Sequence, residues 1–341
     1  MNTPEYDLPR PRAVIAGASG FVGRALASAL RDDGYDVVTV GRTGHATWTD
    51  PAGIARLVDG AELLVNLAGK IVSCRYTDAN RDEILRSRTA TTRALHAAVR
   101  DAARPPRVWM NASTATIYRH ETERGNDEVD GVIGDGFSVD VATSWERAFF
   151  DGDLPGTRRV ALRMAIVLGD GPATRMLFAL GRLGAGGPQI DSWWFPHRRY
   201  RGIGAQPTGA PWSHWHRTRG RQKFSWIHID DVVGAVRFLR DRDDIAGPVN
   251  LAAPNVSDNR TLMADVRRIA RLPLGLPAFR WMLDPAMAVL GSEPELVLKS
   301  RWAVPRILTD AGFEFQHPDL GPALDAVAET RRPRARDLFS A

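Results

Sequence analysis

Gly17, Gly20 and Gly23 recur at every third position in Gly17-Ala18-Ser19-Gly20-Phe21-Val22-Gly23, a spacing suited to holding phosphate. Gly17 permits a tight turn, Gly20 lets the backbone approach a pyrophosphate without a Cβ between, and Gly23 lets a helix pack closely on the preceding strand. The helix N-terminus offers unpaired N–H groups to the anion. Such a motif counts only between a strand and a helix. The apolar run 12–16 precedes it and the amphipathic segment 24–33 follows, so a dinucleotide site is expected. Arg42 names the nucleotide. An acidic residue at the end of the second strand would hold the ribose hydroxyls of NAD, whereas the Gly41-Arg42-Thr43 found here suits a 2′-phosphate, and NADP(H) is expected. Ser113 and Thr114 leave a later strand at its carboxyl end, where a hydroxyl can hydrogen-bond a substrate carbonyl, although such residues also form turns.

These residues need elements to position them. Strands are expected at 36–40, 46–48, 62–67, 108–112 and 159–168, with helices at 51–58, 78–103 and 137–150. Alternation of strand and helix implies an α/β fold, a Rossmann-type doubly wound parallel sheet whose ligands lie at the carboxyl edge. The segments are an N-terminal tail at 1–11, the nucleotide-binding domain at 12–187, an inserted loop at 188–219, a return to the sheet domain at 220–254, a smaller substrate-side domain at 255–330, and a tail at 331–341.

Composition sets the outer bounds. The chain has 341 residues, 44% hydrophobic and 25% charged, ordinary for a globular protein. No run is long and apolar enough to span a bilayer, residues 1–12 do not read as a signal peptide, and Cys74 is the only cysteine. No membrane partner and a reducing cytoplasm are therefore expected, with a monomer or homodimer. The net charge of +5 suits an anionic cofactor or substrate, and no nucleic-acid signature accompanies it.

Four stretches make the chain resemble the extended short-chain dehydrogenase/reductase superfamily, in its "epimerase family" branch with an extra C-terminal domain. They are Gly17–Gly23; Val65-Asn66-Leu67-Ala68-Gly69 with Ser87-Arg88-Thr89-Ala90-Thr91-Thr92-Arg93; residues 220–231; and residues 305–315. The resemblance implies that Gly17, Ser19, Gly20, Phe21, Val22 and Gly23 meet the cofactor phosphates, and that Arg42 meets the 2′-phosphate. It further implies that Leu67, Ala68 and Gly69 line the adenosine side and that Thr114 assists catalysis. Arg163 is assigned to the cofactor side with them. Ser87 and Arg88 match a family motif without a derived role.

Two departures limit the resemblance. The superfamily's Tyr-x-x-x-Lys pair, in which lysine lowers the tyrosine pKa, is replaced by Ser138 and Ala142. The proton donor must come from elsewhere, with Asp140, Tyr118, His228 and the inserted loop as candidates. The plainer reading of Tyr118 is packing and one hydrogen bond. His228, with Asp230 and Asp231, reads chiefly as shaping the cleft and starting a helix. Phe224 also stands where sugar-nucleotide epimerases carry an arginine for the diphosphate.

The inserted loop carries four tryptophans, a composition for an ordered lid or an interface rather than disorder. His197, His214 and His216 lie among arginines with one nearby carboxylate, Asp191, and no metal is expected. The leading expectation is an NADP(H)-dependent oxidoreductase acting on a small carbonyl or hydroxyl substrate. The alternatives are a cofactor-binding protein without turnover and an enzyme of the sugar-nucleotide epimerase or dehydratase type.

Overall fold

Strand β1 (Arg12–Ala16) shows why the centre of the molecule is a sheet covered on both sides. Its residues alternate, with Ala13 and Ile15 entering one core and Val14 and Ala16 the other, and all four have 0% exposure. Strands buried on both faces read as continuous apolar runs, as this one does.

The computed structural model describes residues 10–182, 184, 186–192, 216–289 and 291–331. After β1 come α1 (Phe21–Asp32), β2 (Asp36–Gly41), β3 (Ala46–Thr47), α2 (Pro51–Val58), β4 (Leu63–Asn66), α3 (Asp78–Arg100) and β5 (Val108–Thr114). Next are α4 (Phe137–Phe149), β6 (Arg158–Met164), β7 (Ile166–Leu168), α5 (Pro172–Arg182) and β8 (Gln189–Ile190). Then follow β9 (Lys223–Phe224), β10 (Trp226–His228), α6 (Ile229–Arg240), β11 (Gly247–Leu251), β12 (Ser257–Asp258) and α7 (Asn259–Ala270). The chain ends with β13 (Ala278–Phe279), α8 (Arg280–Val289), α9 (Glu295–Leu298), α10 (Arg306–Asp310) and α11 (Leu320–Thr330).

Seven strands form one parallel sheet in the order β11-β6-β5-β4-β1-β2-β3, the doubly wound arrangement expected. Helices α1 and α6 cover one face through Leu26, Leu30, Val232, Val236 and Leu239. Helices α2, α3 and α4 cover the other through Ile54, Val58, Leu95, Val99 and Phe149. The chain reverses direction between β1 and β4, and the carboxyl ends of those strands open the crevice that receives a ligand.

The expected strand at 159–168 is two strands. β6 stays in the main sheet, while β7 leaves it to pair with β10. β7 and β10 carry a separate core in which Leu168 and Trp226 meet α5, α7 and α11 through Phe178, Leu262, Met263, Val266, Leu324 and Val327. The segment 255–330 is not one body, however. Leu308 is buried in the sheet-domain core, and Ile307, Ala311, Phe313 and Phe315 pack against it. The central part of the inserted loop, with its tryptophans, His197 and His214, lies outside the described residues, as do 1–9 and 332–341. Among the described residues, no helix is long and apolar enough to cross a membrane.

Candidate functional site

The glycine turn is built as its spacing predicts. Gly17 has φ +82°, and a Cβ there would lie 2.8 Å from Leu67 C and 2.9 Å from Ala68 N, against the loop after β4. A Cβ on Gly23 would fall 2.4 Å from Gly17 O, so only hydrogen lets α1 sit this close to the turn. Gly20 caps α1 without a side chain, and the first turn holds no acidic residue. The leading N–H groups of α1, those of Phe21 and Val22 included, therefore face the crevice available to an anion, and a pyrophosphate fits this cradle. The Phe21 side chain turns away, packing against Gly169 and Gly171. Ser19 is exposed, and its carbonyl accepts from Arg24. Arg42 is exposed at the end of β2 and forms no hydrogen bond among the described residues, so its fork is free for a phosphate.

The loop Leu67–Gly69 is fixed from beneath. Asn66 accepts from Ala68 N (3.1 Å) and donates to Asn111 Oδ1 (2.7 Å) and Thr92 Oγ1 (3.1 Å), and Thr92 Oγ1 also receives Trp145 Nε1 (3.0 Å). This buried network ties β4, β5, α3 and α4 together at the floor of the cleft. The Ser-Arg motif now has a role. Ser87 Oγ accepts from Lys70 N at 2.9 Å, and the Arg88 guanidinium lies under Gly69, whose Cβ would stand 3.1 Å from Arg88 Cζ.

Several candidates are already committed to the fold. Ser113 Oγ donates to Glu146 Oε1 at 2.6 Å. Arg163 is not turned toward the cofactor as expected. Its guanidinium forks onto both Glu146 oxygens (2.8 and 2.7 Å) and donates to Tyr118 Oη (3.0 Å), because a buried guanidinium needs such partners. Tyr118 is 2% exposed and donates to Asn250 Oδ1 at 2.9 Å, which holds its proton inside the core and removes it from the donor candidates. His228 Nδ1 accepts from Asp230 N at 3.2 Å and caps α6. Burial, then neighbouring His317, pushes the His228 pKa well below the usual imidazole range, so the ring is neutral and is no proton source at neutral pH. The donor atoms of His228, Asp230 and His317 come within 4.8 Å of one another, the one such His and carboxylate group among the described residues.

Thr114 is different. It is half-buried at the end of β5, where its Oγ1 accepts from Thr116 N (3.2 Å) and contacts Thr116 Oγ1 (3.1 Å), so it can turn toward the cleft. Around it stand residues that spacing did not single out. Lys299 Nζ donates to Thr116 O (3.0 Å), and Arg301 Nε donates to Thr116 Oγ1 (3.1 Å). Tyr76, from the loop before α3, packs edge-on to Phe137, the first residue of α4, with the rings 4.7 Å apart. His216, at the described end of the insertion, stacks on His120 at 3.5 Å, and His120 accepts from Ser300 N.

The family model for the NAD dependent epimerase/dehydratase family matches residues 13–133, and the Domain of unknown function (DUF1731) matches 281–327. The epimerase family protein SDR39U1 of Bos taurus is 32% identical over 331 residues, covering 93% of this chain and 99% of that protein. The chain belongs to this epimerase family. The Mus musculus protein of the same name is 30% identical, covering 93% of this chain and all of its own length. The crystal structure of human epimerase family protein SDR39U1 (isoform2) with NADPH superposes with a TM-score of 0.77 at 27% identity, covering 93% of this chain and 99% of that one.

Proposed function

We propose that this epimerase-family chain is an NADP(H)-dependent oxidoreductase acting on a small carbonyl or hydroxyl compound, with Tyr76 as its proton donor. One observation carries the reading: the Tyr76 ring packs on Phe137, beside Ser138, the residue that stands at the superfamily's tyrosine position. The phenol missing from α4 is replaced in space by one from the loop before α3. The cofactor assignment is supported by the glycine cradle, by the unpartnered Arg42, and by the NADPH in the human relative's crystal structure.

When bound, the nicotinamide supplies hydride exchange with the substrate carbon. Thr114 Oγ1 turns its proton from Thr116 to the substrate oxygen and orients it. Tyr76 Oη then passes its proton to that oxygen and regains one from solvent. Burial raises the Tyr76 pKa well above the usual phenol value, so the residue enters as a neutral phenol.

One observation favours a second reading, cofactor binding without turnover. Ala142, fully buried, occupies the lysine position, so no cation from α4 lowers the phenol pKa. The sugar-nucleotide reading draws less support, since Phe224 holds the place of the diphosphate arginine.

The test is NADPH oxidation by purified protein against aldehydes, ketones and 2-oxo acids. Turnover that falls about 100-fold in Tyr76→Phe, with NADPH affinity unchanged, is the expected result. Tight NADPH binding with no turnover across the panel would establish the second reading, and full activity in Tyr76→Phe would remove the donor assignment.

A further inference from the structure

The substrate side of the cleft gathers three cationic side chains, Arg88, Lys299 and Arg301. Arg88 donates to Ile84 O at 3.0 Å and lies 5.1 Å over the Trp145 ring, and its remaining donors have no protein acceptor among the described residues. Lys299 is half-buried with Thr116 O as its hydrogen-bond acceptor. Arg301, 9% exposed, is held by Thr116 Oγ1 and by the carbonyls of Leu296 and Glu295. None of the three forms an ion pair among the described residues. Glu295 and Asp135 act on Lys299 only from beyond ion-pair distance, and Glu295 alone of the two acts on Arg301.

These cations belong to one place. The Tyr76 hydroxyl lies within electrostatic range of Arg88 and of Arg301, and of the Glu293 and Glu295 carboxylates as well. Lys299 and Arg301 grip opposite sides of Thr116, which contacts Thr114. Arg88 lies under Gly69, just past the carboxyl end of β4, the strand paired with β5, beyond whose carboxyl end Thr116 stands. Their walls come from α3, the loop before it, the turn after β5 and the segment after α9. The cofactor's phosphates have their own cradle at α1 and Arg42.

Removing cations from water without counterions is costly, and proteins keep such arrangements where a ligand supplies the negative charge. Arg301 is also pre-organised, its fork fixed by three acceptors before any ligand arrives. We propose that Arg88, Lys299 and Arg301 form an oxyanion subsite, and that the substrate carries a carboxylate or phosphate next to its reacting carbonyl or hydroxyl. This rests on the reductase reading for the placement of substrate between Thr114 and Ser138. A guanidinium fork matches either oxyanion in bidentate fashion, and a neutral ketone would leave the three charges unanswered.

The experiment is calorimetric titration of NADP⁺-saturated protein with oxalate, with inorganic phosphate and with neutral oxamide. Saturable binding of oxalate or phosphate is expected, weakened at least about tenfold in Arg88→Met and in Lys299→Met, with no binding of oxamide. Preference between the two anions separates a carboxylate substrate from a phosphorylated one. The two variants lie on different elements, so failure of one to fold leaves the other to report, with NADP⁺ affinity as the control for a native fold. Absence of binding by both anions, or binding unchanged in the folded variants, overturns the subsite. Because the readout is binding, a protein that takes up oxalate yet reduces no carbonyl keeps the subsite and loses the reductase reading. Turnover of neutral ketones alone does the reverse.

Discussion

Arg42 is proposed to carry the choice between two cofactors that differ by one phosphate. It is exposed at the end of β2, and no described carboxylate competes for it. Arg42→Glu should weaken NADPH about 10–100-fold, the range for losing charge-assisted phosphate contacts and adding repulsion, while leaving NADH nearly unchanged. Fluorescence titration of both nucleotides measures this, and equal losses would reject the 2′-phosphate contact. Arg42 was legible because its position follows from a motif and a strand end. Arg163 was misplaced because its type suits a site, but its environment is a buried network with Glu146 and Tyr118, and in that network Tyr118 has the packing and hydrogen-bonding role of its plainer reading. Tyr76, Lys299 and Arg301 gave no spacing signal, and Arg88 stood in a motif without a derived role. Lys299 and Arg301 reach Thr116 from more than 180 positions away, and only the folded chain joins them.

At the scale of elements, β1, the glycine turn and α1 were readable because each local preference agrees with the fold. The glycines in that turn are not equivalent. A Cβ at Gly20 would make an ordinary 3.4 Å contact with Gly17 O, whereas one at Gly23 would lie 2.4 Å from that same oxygen and 2.8 Å from Ala18 Cα. Gly23→Ala must therefore push α1 off β1, at a cost of about 3 kcal/mol, and it should abolish NADPH binding. Gly20→Ala should fold normally and lose only part of its affinity. Urea denaturation with nucleotide titration compares them, and equal stability of the two would contradict this packing. The division of 158–168 into β6 and β7 was hidden for a different reason. An apolar run shows that a strand is buried without showing which strand it pairs with. Ala165 still donates to Leu251 O in the main sheet, but Ile166 donates to Ser225 O and joins β10.

Over the whole molecule, the C-terminal third is threaded back into the sheet domain by two carboxylates, half-buried Glu128 and buried Asp231. Glu128 accepts the N–H groups of Asn250, Arg306 and Ile307. Asp231, 0% exposed on α6, accepts from Gln316 N at 2.6 Å and His317 N at 3.0 Å. Between these anchors Leu308 sits in the sheet-domain core, with Phe313 against Phe238 at 5.4 Å. The same C-terminal third delivers Lys299 and Arg301 to Thr116, so docking of this segment and assembly of the cationic subsite are a single event. Asp231→Ala leaves two N–H groups without their acceptor and should cost about 3 kcal/mol, from two hydrogen bonds to a charged group. The loss is local, so protection of amides in 313–331 against hydrogen exchange should fall more than that of β1 and β4. Oxalate affinity should fall in parallel while NADPH affinity holds, because the glycine cradle lies on elements that Asp231 does not anchor. Uniform loss of protection across both regions would instead mean that the C-terminal segment and the sheet unfold as one cooperative unit.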